Sequence, residues 1–217
     1  MLSVVIPTLD AALFLPHCLH RLDGADEIIV VDGGSRDDTI AIAEAAGVRV
    51  IVAPKGRGSQ LAAGGEAARG DWLLFLHADT LLESGWREAA AARMAKPFRP
   101  ACFRLRLDDS AWQARMIERG VALRVKLLGL PYGDQGLLVS RQLYRNVGGY
   151  RPLPLMEDVD LVRRIGRGRI RLLNETATTS AERWRCDGWF RRSGRNLACL
   201  SLYMAGVPAE RIARFYA

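Results

Sequence analysis

The first hundred residues alternate between short aliphatic runs and longer stretches of helical periodicity. "LSVVI" (2–6), "EIIVV" (27–31), "VRVIV" (48–52) and "WLLFL" (72–76) are rich in β-branched and other apolar residues, the pattern of strands buried on both faces. Between them, "AALFLPHCLHRL" (11–22), "DDTIAIAEAA" (37–46) and "GSQLAAGGEAA" (58–68) predict crossover helices. Such alternation predicts an α/β three-layer sandwich with a mostly parallel central sheet. Beyond residue 100 the regularity weakens. "ACFRLRL" (101–107) alternates with period two, like a strand with one polar face, and an amphipathic helix is predicted over 110–128. An irregular "GLPYGDQG" (129–136), a strand at "GLLVS" (136–140), a short helix ending at "VGGY" and an acidic helix start at "MEDVDLVRRI" follow. The segment 187–217 reads as two basic amphipathic helices broken at "GVP".

Composition adds limits. With 49% hydrophobic and 25% charged residues, 217 residues suffice for one core rather than two ordinary domains. No repeat, low-complexity tract or flexible linker interrupts the pattern, so one domain over 1–217 is expected, with a subdivision near residue 100. The net charge is +7, and all but Lys55, Lys96 and Lys126 of the 31 basic residues are arginine. Arginine suits phosphate and carboxylate partners, while a GC-rich coding bias explains the same preference without any ligand. Cys18, Cys102, Cys186 and Cys199 form no CxxC pair, which argues against a zinc site and a disulfide framework and for reduced thiols. "MLSVVIPTLD" lacks a signal-peptide pattern and no run reaches 18 apolar residues, so a cytoplasmic location is expected. No helix-turn-helix, RRM or zinc spacing supports a nucleic-acid partner.

The apolar run of "LLFLHADT" (73–80) ends abruptly in His77 and Asp79. Burying an unpaired carboxylate is very unfavourable, so the chain should leave the core here, at the carboxyl end of the strand, where open α/β sheets bind ligands. In extended chain, residues two apart face one ligand. Asp79 offers a hard oxygen to a divalent cation bridging two phosphates; His77 offers a nitrogen ligand or a hydrogen bond to a nucleoside. A helix cap is the plainer role for Asp79. "VVDGGSRDDT" (30–39) sets Asp32 directly after a strand, with Gly33 and Gly34 permitting a tight turn and close backbone approach. Asp32 is read as accepting hydrogen bonds from a nucleobase or ribose, because Ser35 or Asp37 can cap the following helix. Neither GxGxxG nor GK[ST] is present, which excludes a Rossmann fingerprint and a P-loop. In "APKGRGSQLAAGG" (53–65), Gly56, Arg57 and Gly58 precede a helix, so N–H groups and a guanidinium can converge on a diphosphate, with Gln60 in the first turn. A surface loop with one arginine is the alternative.

"VVIPTLD", "IIVVDGGSRDDT", "GRGSQLAAG", "LLFLHADT", "PYGDQG", "LMEDVDLVRR" and "SAERW", in that order over residues 2–185, resemble the family-2 glycosyltransferases of the GT-A fold, in a bacterial branch carrying FLHADT, PYGDQ and MED strings. The resemblance implies a nucleotide-diphospho-sugar donor, Mg²⁺ or Mn²⁺, and inverting transfer to an acceptor that the sequence does not name. It implies a nucleotide-binding half to residue 100, with Pro7, Thr8, Asp32, Gly33, Arg57 and Gln60, and an acceptor-binding half beyond it. "HAD" matches the family's DxD signature, with Asp79 at the metal position and His77 in place of the nucleoside-contacting acid. "TLDAA" departs from the family's usual Asn followed by Glu, so Asp10 is a weak match. "LMEDVDL" matches the family's ED motif, making Asp158 the candidate general base and Glu157 its neighbour; Asp160 is read as complementing the helix dipole. Asp134 and Gln135 resemble a donor-sugar or acceptor segment, with a plain surface turn as the alternative. "SAERW" resembles the QxxRW motif of processive relatives with Ser180 replacing Gln, so that Arg183 could bind diphosphate and Trp184 stack on a sugar. The missing Gln argues against a processive synthase. A sugar-phosphate nucleotidyltransferase and a catalytically silent nucleotide-sugar-binding module are the competing readings. Arg183, Arg185, Arg191, Arg192 and Arg195 suggest peripheral membrane contact or a lipid-phosphate acceptor, against a solvated arginine face.

Overall fold

The computed structural model describes residues 1–96, 99–166 and 168–216. Its first half follows the hydrophobic pattern: β1 (Leu2–Thr8), α1 (Leu15–His20), β2 (Glu27–Asp32), α2 (Thr39–Ala45), β3 (Arg49–Val52), α3 (Arg57–Ala67) and β4 (Trp72–Phe75). Next come β5 (Thr80–Leu82), α4 (Trp86–Met94), β6 (Ala101–Leu107), α5 (Trp112–Leu128), a 3-10 turn at Gly133–Gln135, β7 (Leu137–Ser140), α6 (Arg141–Asn146) and α7 (Glu157–Ile165). β8 (Arg171–Thr179), α8 (Glu182–Asp187), α9 (Trp189–Met204) and α10 (Ala209–Tyr216) complete the described elements.

The strands form one sheet in the order β3-β2-β1-β4-β7-β6-β8-β5. β1 to β4 are mutually parallel, β7 runs against β4 and β6, and β5 runs against β8. Six of the eight strands among the described residues therefore share one direction, in keeping with the expected mostly parallel sheet. β1 shows why both faces must be apolar: Leu2, Val4 and Ile6 enter one core cluster and Val5 the other. α3 lies flush on the sheet because a Cβ on Gly64 would come within 2.8 Å of Val31 Cγ2 and closer still to Val5. The "AAGG" stretch is thus a packing requirement.

Two sequence expectations shift. The helix expected over 11–22 is confined to Leu15–His20, with Pro16 in its first turn, where a missing N–H breaks no ladder. β5, α4, β8 and α8 had no counterpart in the periodicity. Of the five crowded C-terminal arginines, Arg185 pairs with Asp108 and Asp109, and Arg192 and Arg195 share Asp187. Three of the five thus have acidic partners within the chain.

All four cysteines are free. Burial pushes the Cys18 and Cys102 thiols up to about 12, so neither is a thiolate near neutrality. Among the described residues, no helix is long and apolar enough to cross a membrane.

Candidate active site

β4 ends at Phe75 and the chain steps out through His77 and Asp79 into β5, which is held against β8 by the register Thr80 to Thr179. His77 and Asp79 both line a cavity of about 610 Å³, while Ala78 between them is buried. Arg57, at the start of α3, reaches the same cavity, as do Asp134 from the 3-10 turn, Asp158 from α7, and Arg183 and Trp184 from α8. Residues drawn from both halves of the chain thus converge there.

Asp158 is the most constrained of these groups. Its Oδ2 accepts the Gly133 N–H at 2.9 Å and its Oδ1 accepts the Tyr150 hydroxyl at 3.2 Å. Arg57 Nη2 lies 3.9 Å away. A Cβ on Gly133 would sit 2.8 Å from Asp158 Oδ2 and 2.9 Å from His77 Cε1, so a glycine is needed to let the turn pass between carboxylate and imidazole. Next to Asp158, Glu157 is 1% exposed and accepts from Arg57 Nε through Oε1, while its Oε2 has no partner among the described residues. Met156 precedes them with φ of 64°, a left-handed conformation unusual for a side chain of this size and the kind of strain found at functional sites.

Electrostatics separates the cavity's polar groups. Desolvation lowers the His77 pKa to about 4, helped by the Arg57 charge and opposed by Asp79, so the imidazole is neutral at physiological pH. Its Nε2 has no hydrogen-bond partner among the described residues. Burial raises the Asp134 carboxyl to about 6; Arg124 opposes the rise while Asp158 and Asp79 add to it. Desolvation works against the Arg57 charge, yet Glu157 and Asp158 outweigh it and hold the guanidinium protonated. Burial and the neighbouring Asp158 raise the Tyr150 hydroxyl well above its usual value, so it remains a donor.

The remaining expected contacts lie elsewhere. Asp32 is fully buried at the end of β2, where it accepts the Gly34 and Ser35 N–H groups at 2.7 and 2.8 Å, the Thr8 hydroxyl at 3.2 Å and the Ser35 hydroxyl. Burial opposes ionisation there, but these four bonds outweigh it and lower the carboxyl pKa. The carboxylate therefore organises the 33–35 turn, while Asp37 Oδ1 accepts the Thr39 N–H at 3.0 Å where α2 begins. Gln60 donates to the carbonyls of Thr8 and Val31 at 2.7 and 2.8 Å, fixing α3 to the ends of β1 and β2. Gln135 donates to the Phe103 carbonyl at 3.0 Å with no side-chain exposure, so this amide braces the turn against β6 rather than facing the cavity. Pro7, Thr8, Asp32, Gly33, Gln60 and Gln135 do not line the cavity. Pro7 and Thr8 pair in register with Val31 and Asp32, and the Gly33 N–H donates to the Thr8 carbonyl at 2.9 Å, so these backbones form one rim.

Asp10 is exposed at φ of 50° and accepts the Arg36 N–H at 2.8 Å. Asp160 accepts from Arg164 at 2.5 and 3.0 Å, Arg151 at 3.4 Å and Tyr203 at 3.3 Å, tying α7 to α9, a larger role than complementing a dipole. Sequence reasoning missed Tyr150 and Arg124, whose guanidinium stacks 3.6 Å from the Tyr132 ring centroid. No spacing signal marks either residue. The phenol at 150 becomes visible only once the chain between α6 and α7 has folded back on β4, where its ring lies 4.9 Å from that of Phe75.

Among the described residues no group of three or more His, Cys, Asp and Glu is arranged to hold a metal ion. Asp79, with the unpartnered Asp134 and His77 atoms on the same wall, could supply only part of a shell. That donor set fits a hard divalent cation taking its remaining ligands from phosphate and water, and does not fit an all-protein cage.

Comparison with known proteins gives a family. The model of glycosyl transferase family 2 matches residues 3–138. A PGL/p-HBAD biosynthesis glycosyltransferase of Mycobacterium bovis is 40% identical over 93 residues, covering 38% of this chain and 36% of the relative. A TPR repeat-containing protein of Synechococcus elongatus is 41% identical over 87 residues, covering 36% and 21%. The matches thus span about a third or less of these curated relatives. Among solved structures, Staphylococcus aureus TarS 1-349 with UDP superposes with a TM-score of 0.64 at 19% identity, covering 83% of this chain and 61% of that one. Glucosyl-3-phosphoglycerate synthase of Mycobacterium tuberculosis, in complex with Mn²⁺, UDP and phosphoglyceric acid, superposes with a TM-score of 0.63 at 20% identity, covering 96% and 79%. At these identities the superpositions show a shared fold.

Proposed function

The chain belongs to glycosyl transferase family 2, and from that premise we propose that it transfers a sugar, with inversion, from a nucleoside-diphosphate sugar to an acceptor hydroxyl. The observation that carries this reading is the convergence of Asp79, Arg57 and Asp158 on one cavity. The crystallised relatives bound to UDP and to UDP-glucose with Mn²⁺ support the same donor class. The half before residue 100 is assigned to the nucleotide, and the half beyond it to the acceptor.

In this reading Asp158 takes the acceptor's proton as the acceptor oxygen bonds to the anomeric carbon and the bond from that carbon to the diphosphate breaks. The Gly133 N–H and the Tyr150 hydroxyl hold the carboxylate in place before the reaction. Arg57 and Arg183 oppose the charge that develops on the departing diphosphate. Asp79, assisted by Asp134 or His77, would hold Mg²⁺ or Mn²⁺, which when bound supplies Lewis-acid stabilisation of that diphosphate. Neutral His77 is assigned to a hydrogen bond with the donor. Asp32 acts by positioning, since it shapes the 33–35 turn whose backbone borders the expected nucleoside site. Trp184 forms a wall against which a sugar ring can stack.

Asp158→Asn should keep UDP affinity and lose about 10²–10⁴-fold in turnover, the usual contribution of a positioned base. Asp79→Asn should abolish the EDTA-sensitive part of UDP binding in calorimetry. UDP binding that ignores both EDTA and Asp79→Asn removes the metal assignment, and an active Asp158→Asn removes the base.

A further inference from the structure

The cavity that holds the acids does not end with them. Away from His77, Asp79 and Asp158 it continues between α5 and α9, walled mainly by Ile117, Val121 and Leu200, with Arg124, Ser193 and Asn196 as polar breaks on the same two helices. From Ile117 to Leu128 this wall follows α5 for about 16 Å at 1.5 Å per residue. A nucleotide sugar offers little to such a surface. Its diphosphate and sugar belong with Arg57 and Asp79, and no residue from the carboxyl ends of β1 and β2, beside which the base is assigned, lines this cavity among those described. The apolar arm is therefore left to the acceptor.

Its mouth is apolar as well. Leu123, Leu127 and Leu197 line the cavity yet are 55%, 68% and 63% exposed. The exposed rings of Trp112 and Phe190, 6.1 Å apart, extend this apolar surface to the starts of the same two helices. Leucines left in water at the rim of a reaction cavity mark a place where something apolar arrives. Arg119, Lys126 and Arg191 are exposed on the same two helices, giving the apolar rim basic neighbours suited to an anionic bilayer surface.

We propose that the acceptor is a lipid alcohol: its hydrocarbon chain occupies the α5–α9 arm, its hydroxyl reaches Asp158, and it enters from a membrane surface through the leucine rim. This inference rests on the transferase reading and deepens it. The hydroxyl loses its proton to Asp158 and its oxygen gains the sugar as the nucleoside diphosphate departs, so no further reactant is needed.

The test uses the full chain and a homologous series of probes. 1-Hexanol, 1-octanol and 1-decanol compete for the fluorescence of bound 1-anilinonaphthalene-8-sulfonate, and UDP binding with Mn²⁺ is measured in parallel by calorimetry. Competition should tighten about fourfold per added methylene, the equivalent of ~0.8 kcal/mol for burying a CH₂. Leu127→Asp and Leu197→Asp should flatten that dependence; both positions are exposed, so folding is not at risk, and retained UDP binding verifies the site. Wild-type protein should float with phosphatidylglycerol vesicles while the two variants remain in the dense fraction. A flat series in the wild type, a slope that survives both substitutions, or no flotation overturns the proposal. So does sedimentation showing a dimer that Leu127→Asp dissociates, because a second copy would then be the occupant. Loss of UDP binding in the wild type, with the chain-length slope intact, would instead count against the transferase reading and leave an apolar binding arm without its reaction.

Discussion

Replacing Gly133 with alanine tests whether the orientation of Asp158 matters, without replacing any ionisable group. Gly133 does not adopt a positive φ, so alanine brings no backbone strain of that kind. The added methyl would lie 2.8 Å from Asp158 Oδ2, about 0.6 Å inside the 3.4 Å at which ordinary contact begins, with His77 crowding it from the other side. Something must move, and the turn, the carboxylate and the imidazole are the candidates. Overpacking of this kind typically costs about 1–3 kcal/mol of stability. A misplacement of 1 Å can cost about 10²-fold in rate, so a shift of half that size should lower turnover roughly 10-fold or more. The assay is release of UDP from whichever UDP-sugar most stabilises the wild type in a thermal screen, with urea unfolding and UDP calorimetry as controls. Turnover should fall by more than UDP affinity does. A folded Gly133→Ala enzyme with wild-type turnover would refute the argument that the Gly133–Asp158 contact sets the base.

Two further outcomes follow from the same cavity. The low folded pKa of His77, about 4 against an unperturbed 6.5, means that the unfolded chain takes up that proton first on acidification, so stability from this residue is full above 6.5 and is lost as the pH falls toward 4. Asp134 acts oppositely: with its folded pKa raised to about 6 from 3.8, the folded chain binds the proton first and gains stability as the pH falls through that interval. Relative to the wild type, Asp134→Asn should therefore make stability rise more steeply with pH between about 4 and 6.5, and His77→Gln less steeply, both read from urea midpoints; parallel profiles for the two variants would contradict the assignment. Glu157→Gln should destabilise by about 2 kcal/mol in urea unfolding, less than the 3–5 for a fully buried pair because the Arg57 side chain remains 40% exposed. A change under about 0.5 kcal/mol would show that the pair is not a structural tie.

The parallel half of the sheet was readable from sequence because strands covered on both faces cannot avoid continuous apolar runs, as "EIIVV" and "WLLF" illustrate. β8 escaped because "RLLNETATT" has only two large aliphatic residues; its pairing with β6 and β5 is a tertiary matter. α4 escaped for a different reason: "WREAAAARM" buries Trp86 and Ala90 and otherwise relies on alanine's helix propensity, which leaves little periodicity. In the candidate site, Asp79, Arg57 and Asp158 could be picked out by motif order, and their sharing of a cavity is a product of the fold. Asp32 shows the limit of such reading. Its place after a strand was legible, but whether its oxygens face a ligand or a turn depends on where Gly34, Ser35 and Thr8 direct their donors. Tyr150 gave no signal, since a single phenol in a loop resembles any other until it meets a carboxylate.

The first turn of α3 is a rivet. Gln60 fastens it to the tips of β1 and β2, and Arg57 fastens it to Glu157, one hundred positions further along the chain. Chimeras that splice the front of one relative to the rear of another, in search of new acceptors, must therefore carry across a matched acid and guanidinium. A graft lacking either would leave one charge stranded beside Asp158, and the two halves would lose their common hinge pin before any question of substrate preference arose.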